Sequence, residues 1–76
     1  MARYFITFEC NGEICHTTGD ANFPTAEAFY SNNYSKKATD DMAVAFVDGY
    51  LDVKGLFGKV KPHNISYTIE FLSEFV

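Results

Sequence analysis

The segment from Thr39 to Gly55, TDDMAVAFVDGYLDVKG, constrains the fold more than any other stretch of the chain. A step of about 100° per residue gathers Ala43, Phe46, Val47, Tyr50 and Val53 on one face and sets Asp41, Ala45, Asp48 and Asp52 opposite them. That spacing predicts an amphipathic helix whose carboxylate stripe faces water. Its ends agree with the pattern: Thr39 can cap the N-terminus, Asp40 and Asp41 complement the positive end of the dipole, Lys54 lies near the negative end, and Gly55 suits the left-handed position beyond the last turn. Asp48-Gly49, between AVAFV and YLDVK, is also a strong hairpin signal, and a turn there would make the chain all-β. The helix is preferred, because a hairpin leaves the Asp spacing and both helix ends unexplained, whereas glycine inside a helix costs only about 1 kcal/mol relative to alanine.

Before the helix, Tyr4 to Glu9 and Glu13 to Thr18 flank Asn11-Gly12, the pair that best supplies the two positive φ angles of a type I′ turn. The register follows, with Cys10 opposite Glu13, Phe8 opposite Cys15 and Ile6 opposite Thr17. Tyr4, Ile6, Phe8, Cys10 and Cys15 then share the face better suited to a core, and Phe5, Thr7, Glu9, Ile14 and His16 share the other. Phe23-Pro24-Thr25 reads as a turn into a short helix, TAEAFYSNN, capped by Thr25 with Ala26, Phe29 and Tyr30 inward; Ser35-Lys36-Lys37 reads as a connector. The last strand, Asn64 to Leu72, alternates Ile65, Tyr67, Ile69 and Phe71 against Asn64, Ser66, Thr68 and Glu70. The expected class is α+β: a small β-β-α-β domain over residues 1–76, with a three-stranded antiparallel or mixed sheet carrying one main amphipathic helix on one face. If the last strand lies beside the first, the order is 2-1-3 and both outer strands are free edges, with Phe71, Leu72, Phe75 and Val76 as apolar surface for pairing.

A chain of 76 residues buries only about 60% of the surface its unfolded form exposes, so a homodimer is among the expected forms. Eight Phe and five Tyr exceed what so small a core hides, and rings of this kind are enriched at protein interfaces. The net charge of −4 argues against direct nucleic-acid binding, which depends on neutralising phosphates, and favours a basic partner. No apolar run approaches the roughly 18 residues that cross a bilayer, and MARYFITF lacks the regions of a signal peptide, so no membrane is expected and the location expected is cytoplasmic.

Cys10, Cys15, His16 and His63 are the soft ligands, but Cys-x4-Cys-His on a hairpin is not a zinc knuckle and sends Cys15 and His16 to opposite faces. Neither a metal nor another cofactor is expected, nor a Cys-His catalytic pair. Gly55-Leu56-Phe57-Gly58-Lys59 fails the spacing of a phosphate loop and reads as a helix stop and turn. No residue is assigned to catalysis, and the expected protein is not an enzyme.

In opening on the strand ARYFITFEC, in its NG hairpin and in the strand PHNISYTIEFLSEF after an amphipathic helix, the chain resembles the small accessory proteins of bacteriophages and mobile elements. The resemblance implies a stoichiometric inhibitor of a host or defence enzyme and transfers no residue role. The expected function is thus a non-enzymatic protein-binding module, blocking an enzyme that binds nucleic acid through its own basic groove. Asp41, Asp48, Asp52, Phe71 and Phe75 are the candidate partner-binding residues. The alternative is a homo-oligomer that binds a small ligand or nucleotide in a pocket lined by Tyr4, Tyr67 and His63 at a subunit interface.

Overall fold

Asn11 and Gly12, at φ of 52° and 76°, close the hairpin as the Asn-Gly pair predicts. In the computed structural model, which describes residues 1–72, they join β1 (Ala2–Cys10) to β2 (Glu13–Ala21). Both strands run further than the alternation indicated, and the three anticipated pairs all form: Cys10 with Glu13, Phe8 with Cys15, Ile6 with Thr17. β3 (His63–Phe71) pairs antiparallel with the other edge of β1, so the sheet order is β2-β1-β3 and β3 runs parallel to β2. One open antiparallel sheet carrying a main helix makes this an α+β fold.

The main helix, α2 (Lys36–Val53), starts one turn before Thr39. Ser35 is the cap, its Oγ accepting the Ala38 N–H at 3.4 Å, while Thr39 is buried and donates its hydroxyl to the Lys36 carbonyl at 2.9 Å. Two lysines in the first turn oppose the helix dipole. The i,i+4 pairs Lys36–Asp40 at 2.9 Å and Lys37–Asp41 at 2.7 Å offset this, and so Asp40 and Asp41 serve those lysines rather than the helix end. The helix runs unbroken through Asp48-Gly49. Its end is the one foreseen: Gly55 has φ 74°, its N–H donates to the Asp52 carbonyl at 3.0 Å, and Leu56 N–H donates to the Leu51 carbonyl at 2.8 Å.

The buried face is shifted from the expected one. Thr39, Ala43, Val47 and Leu51 recur every fourth position along it, Leu56 and Val60 pack against the same core, and Val53, expected inward, is 87% exposed. The short α1 (Ala26–Tyr30) is capped by Thr25, whose Oγ1 accepts the Ala28 N–H at 3.1 Å. Asn32, at φ 60°, ends it, and Tyr30 is exposed where the reading had it inward, since five residues give too little helix to cover a full face.

Ala2, Tyr4, Ile6, Phe8 and Cys10 of the central strand and Ala43, Val47 and Leu51 of α2 are the core. Each larger apolar side chain fully buried in this way contributes about 1.5–3 kcal/mol relative to exposure. The flanking strands are covered less completely: Cys15 on β2 and Ile65, Tyr67, Ile69 and Phe71 on β3 are all half-buried. The other face of the sheet is open to water. It presents Phe5 and Ile14 among polar side chains, with the Arg3 guanidinium paired to both oxygens of Asp20 at 2.8 and 3.1 Å.

Candidate functional site

The carboxylates of α2 divide into two groups. Toward the N-terminus, Asp41 is exposed but paired with Lys37, and Asp40 holds Lys36 while accepting the Tyr67 hydroxyl at 2.5 Å. Tyr67 also lies 2.9 Å from the Thr39 hydroxyl oxygen; with one proton to give, it favours the carboxylate, since a charge-assisted bond is the stronger. The Tyr67 hydroxyl, followed by Lys36, holds the Asp40 carboxyl below its ordinary value of 3.8. Burial, followed by the bond to Asp40, raises the Tyr67 phenol.

Asp48 and Asp52, one turn apart, are in no ion pair among the described residues. With Gly49 and Phe57 they line a shallow open cleft of about 340 Å³, in which the Phe57 ring is 55% exposed. Two free carboxylates beside an aromatic ring suit a cationic side chain, which takes the charge of one and the face of the other. Phe57 and Gly49 were not among the candidates from sequence. Phe57 belongs to a post-helix turn, and nothing local indicates that the turn returns it to the Asp48–Asp52 side.

Of the remaining candidates, Phe71 belongs to a different surface. It stands opposite Ala2 at one end of the sheet, in ring contact with Phe29 (5.3 Å) and Tyr30 (5.9 Å). The C-terminal half of α2 approaches the hairpin end instead, where Tyr50 meets Phe8 edge-on at 5.5 Å. Phe71 therefore does not join the carboxylates, and Phe75 and Val76 lie outside the described residues. Between Phe71 and the start of α2 runs a second cleft, of about 420 Å³, with Ile65, Tyr67 and Ile69 of β3, Phe29 and Tyr34, and Lys36, Thr39 and Asp40 around it.

No family model, curated protein or solved structure matches this chain. Its chemistry is therefore read from its own residues.

Within one chain, Tyr4, Tyr67 and His63 do not line a common pocket. Tyr4 is fully enclosed, and a bulge opposite Thr7–Glu9 sets His63 across from Glu9, on the face that α2 leaves open. Cys10 is buried and Cys15 half-buried, both as free thiols, and the open-face His16 has its Nδ1 3.1 Å from the Thr7 hydroxyl. Among the described residues no three His, Cys, Asp or Glu side chains are grouped to hold a metal, and no helix is long and apolar enough to cross a membrane.

Burial, reinforced by the neighbouring Tyr67, pushes the Tyr4 phenol from 10.0 up to about 12. A phenol that holds its proton more tightly when folded contributes stability that is complete below its unfolded value and lost as pH rises through the folded one. Urea unfolding should therefore show stability falling as pH rises from about 10 toward 12, and falling less steeply in Tyr4→Phe. Parallel curves for the two proteins would assign the alkaline loss to other groups.

Proposed function

We propose that this protein is a non-enzymatic binding module that sets the outward face of α2 against a basic surface of another protein, and that it acts by occupying that surface. The observation that supports this reading is the Asp48–Asp52 pair, left without cations beside the exposed Phe57, on a chain of net charge −4. Unpaired surface carboxylates, here a half-buried Asp48 and an exposed Asp52, speed encounter with a positive groove, and an aromatic ring at the centre of the contact supplies an anchor once docked. A basic groove is what an enzyme that binds nucleic acid presents. Inhibition of such a host or defence enzyme, as in the bacteriophage accessory proteins that the chain resembles, is the specific form proposed. Asp41, quenched by Lys37, adds little to this face, and Asp48, Asp52 and Phe57 form its centre.

The test is capture from a bacterial lysate at low and high salt, followed by assay of the captured enzyme with and without added protein. Asp48→Lys/Asp52→Lys brings the formal net charge from −4 to zero without touching the core. The expected result is stoichiometric inhibition that weakens with salt, and an association rate lower by about tenfold or more in the double variant. Equal capture and inhibition by a double variant that melts like the wild type would remove the acidic face from the reading. Elution of a small molecule alone would favour the ligand-binding alternative.

A further inference from the structure

The outer edge of β3 is an unguarded strand. It is nine residues long, and among the described residues its only backbone partners are on β1. Natural edges are blunted by lysine, proline, brevity or a bulge. From Ser66 to Phe71, SYTIEF has none of these: no Lys, no Pro, and the single bulge lies before it, at Asn64 and Ile65 between the pairings of Thr7 and Glu9. The alternation of Ile65, Tyr67, Ile69 and Phe71 instead gives a strand of high β-propensity whose apolar side chains are only half covered.

Charge selects the occupant. Lys59, Lys61 and His63 precede β3 or open it, and Glu70 lies near its end, so the strand is basic at one end and acidic at the other. Antiparallel pairing of two such strands sets each basic end against the other's acidic end. The rival edge, β2, has Glu13 at its start and Asp20 near its finish, with Gly19 and Ala21 as poor strand formers, and it cannot complement itself in this way.

We propose that β3 pairs antiparallel with β3 of a second copy about a two-fold axis at Tyr67, making one six-stranded sheet. The side-chain period of two fixes the choice of register, because opposite residues must share a face. Centring on Tyr67 uses the strand from the bulge onward: Ile65 meets the partner's Ile69 and Ser66 meets the partner's Thr68. No like charges are opposed. On the helix side, each strand brings its own Ile65, Tyr67 and Ile69 alongside the other's cleft of about 420 Å³, so the half-covered apolar rows gain neighbours. This surface is separate from the acidic face of α2, and a dimer would present two such faces.

Sedimentation or native mass spectrometry of the full chain tests it. The wild type should have twice the 8.6 kDa mass of one chain. Ser66→Lys/Thr68→Lys alters two exposed positions on the open face and sets lysine against lysine twice across the axis, so this variant should be monomeric at concentrations where the wild type is dimeric. Ser66→Lys/Thr68→Glu sets each lysine against a glutamate and should restore the dimer. Circular dichroism checks that the three proteins share one fold. A wild type monomeric at every concentration, a dimer indifferent to the paired lysines, or a Lys/Glu variant as monomeric as the Lys/Lys one would each overturn the proposal.

Discussion

Gly19→Val should destabilise the domain by about 3 kcal/mol, at the upper end of what overpacking a well-filled interior costs. Gly19 stands opposite Tyr4 on the covered face of β2, and the Phe46 ring lies directly on its backbone. A Cβ at this position would be 2.3 Å from Phe46 Cδ1 and 2.4 Å from Cε1 and Cγ. Cγ is the near end of the side chain, so the ring cannot swing away unless α2 moves. On its other side it is held by Tyr4, at a centroid distance of 5.5 Å. Strand propensity alone predicts the opposite sign, since valine favours a strand over glycine by up to about 1 kcal/mol. Thermal melts decide between them: a Tm lowered by several degrees supports the contact, and a Tm at or above that of the wild type rules it out. In a Phe46→Ala background, the cost of Gly19→Val should largely vanish.

Tyr4→Ala should cost about 3–5 kcal/mol, the range for deleting a buried aromatic side chain. Against a total stability of about 0.05–0.15 kcal/mol per residue, such a loss leaves much of the chain unfolded. Tyr4 has no exposed surface, its ring meets Phe46 at 5.5 Å and Tyr67 at 5.6 Å, and its hydroxyl donates to the Phe23 carbonyl at 3.3 Å. That bond is long, so Tyr4→Phe should cost only about 1 kcal/mol. Denaturant unfolding of the two variants separates ring from hydroxyl. Equal losses would mean that the Phe23 contact, and not the packing of the ring between β3 and α2, is what Tyr4 supplies.

Both predictions concern contacts that the sequence did not show. Gly19 lies just beyond the strand Glu13 to Thr18 that the alternation indicates, and Phe46 is one apolar residue among five on a helix face. Their contact spans 27 positions and depends on where α2 crosses the sheet. Ser35, by contrast, is a residue type that caps helices, although the sequence reading puts it with Lys36 and Lys37 in a connector and gives the cap to Thr39; Asp40 and Asp41 stand at the i,i+4 spacing that offsets the two lysines. Val53 is exposed for another reason. The buried residues of α2, Thr39, Ala43, Val47 and Leu51, recur every fourth position to the last turn, and that row centres the covered face well away from Val53.

For the candidate site, the stripe of Asp41, Asp48 and Asp52 was readable as a face, but its division into a neutralised end and a free end was not. That division arises from lysines in a segment read as connector, and Phe57 joins the free end through a turn whose direction no local rule gives. By itself, the sequence determined the hairpin and its register, the alternation of β3, the outward position of the acidic stripe and the glycine that ends α2. These follow from backbone sterics and side-chain period, which act over a few residues. Only the tertiary structure decided that Tyr67 would reach Thr39 and Asp40, that Gly19 would carry the Phe46 ring, and that His63 would pass to the open face. Each depends on how helix and sheet lie against one another, which is set by packing the whole core at once and is encoded in no single stretch of the chain.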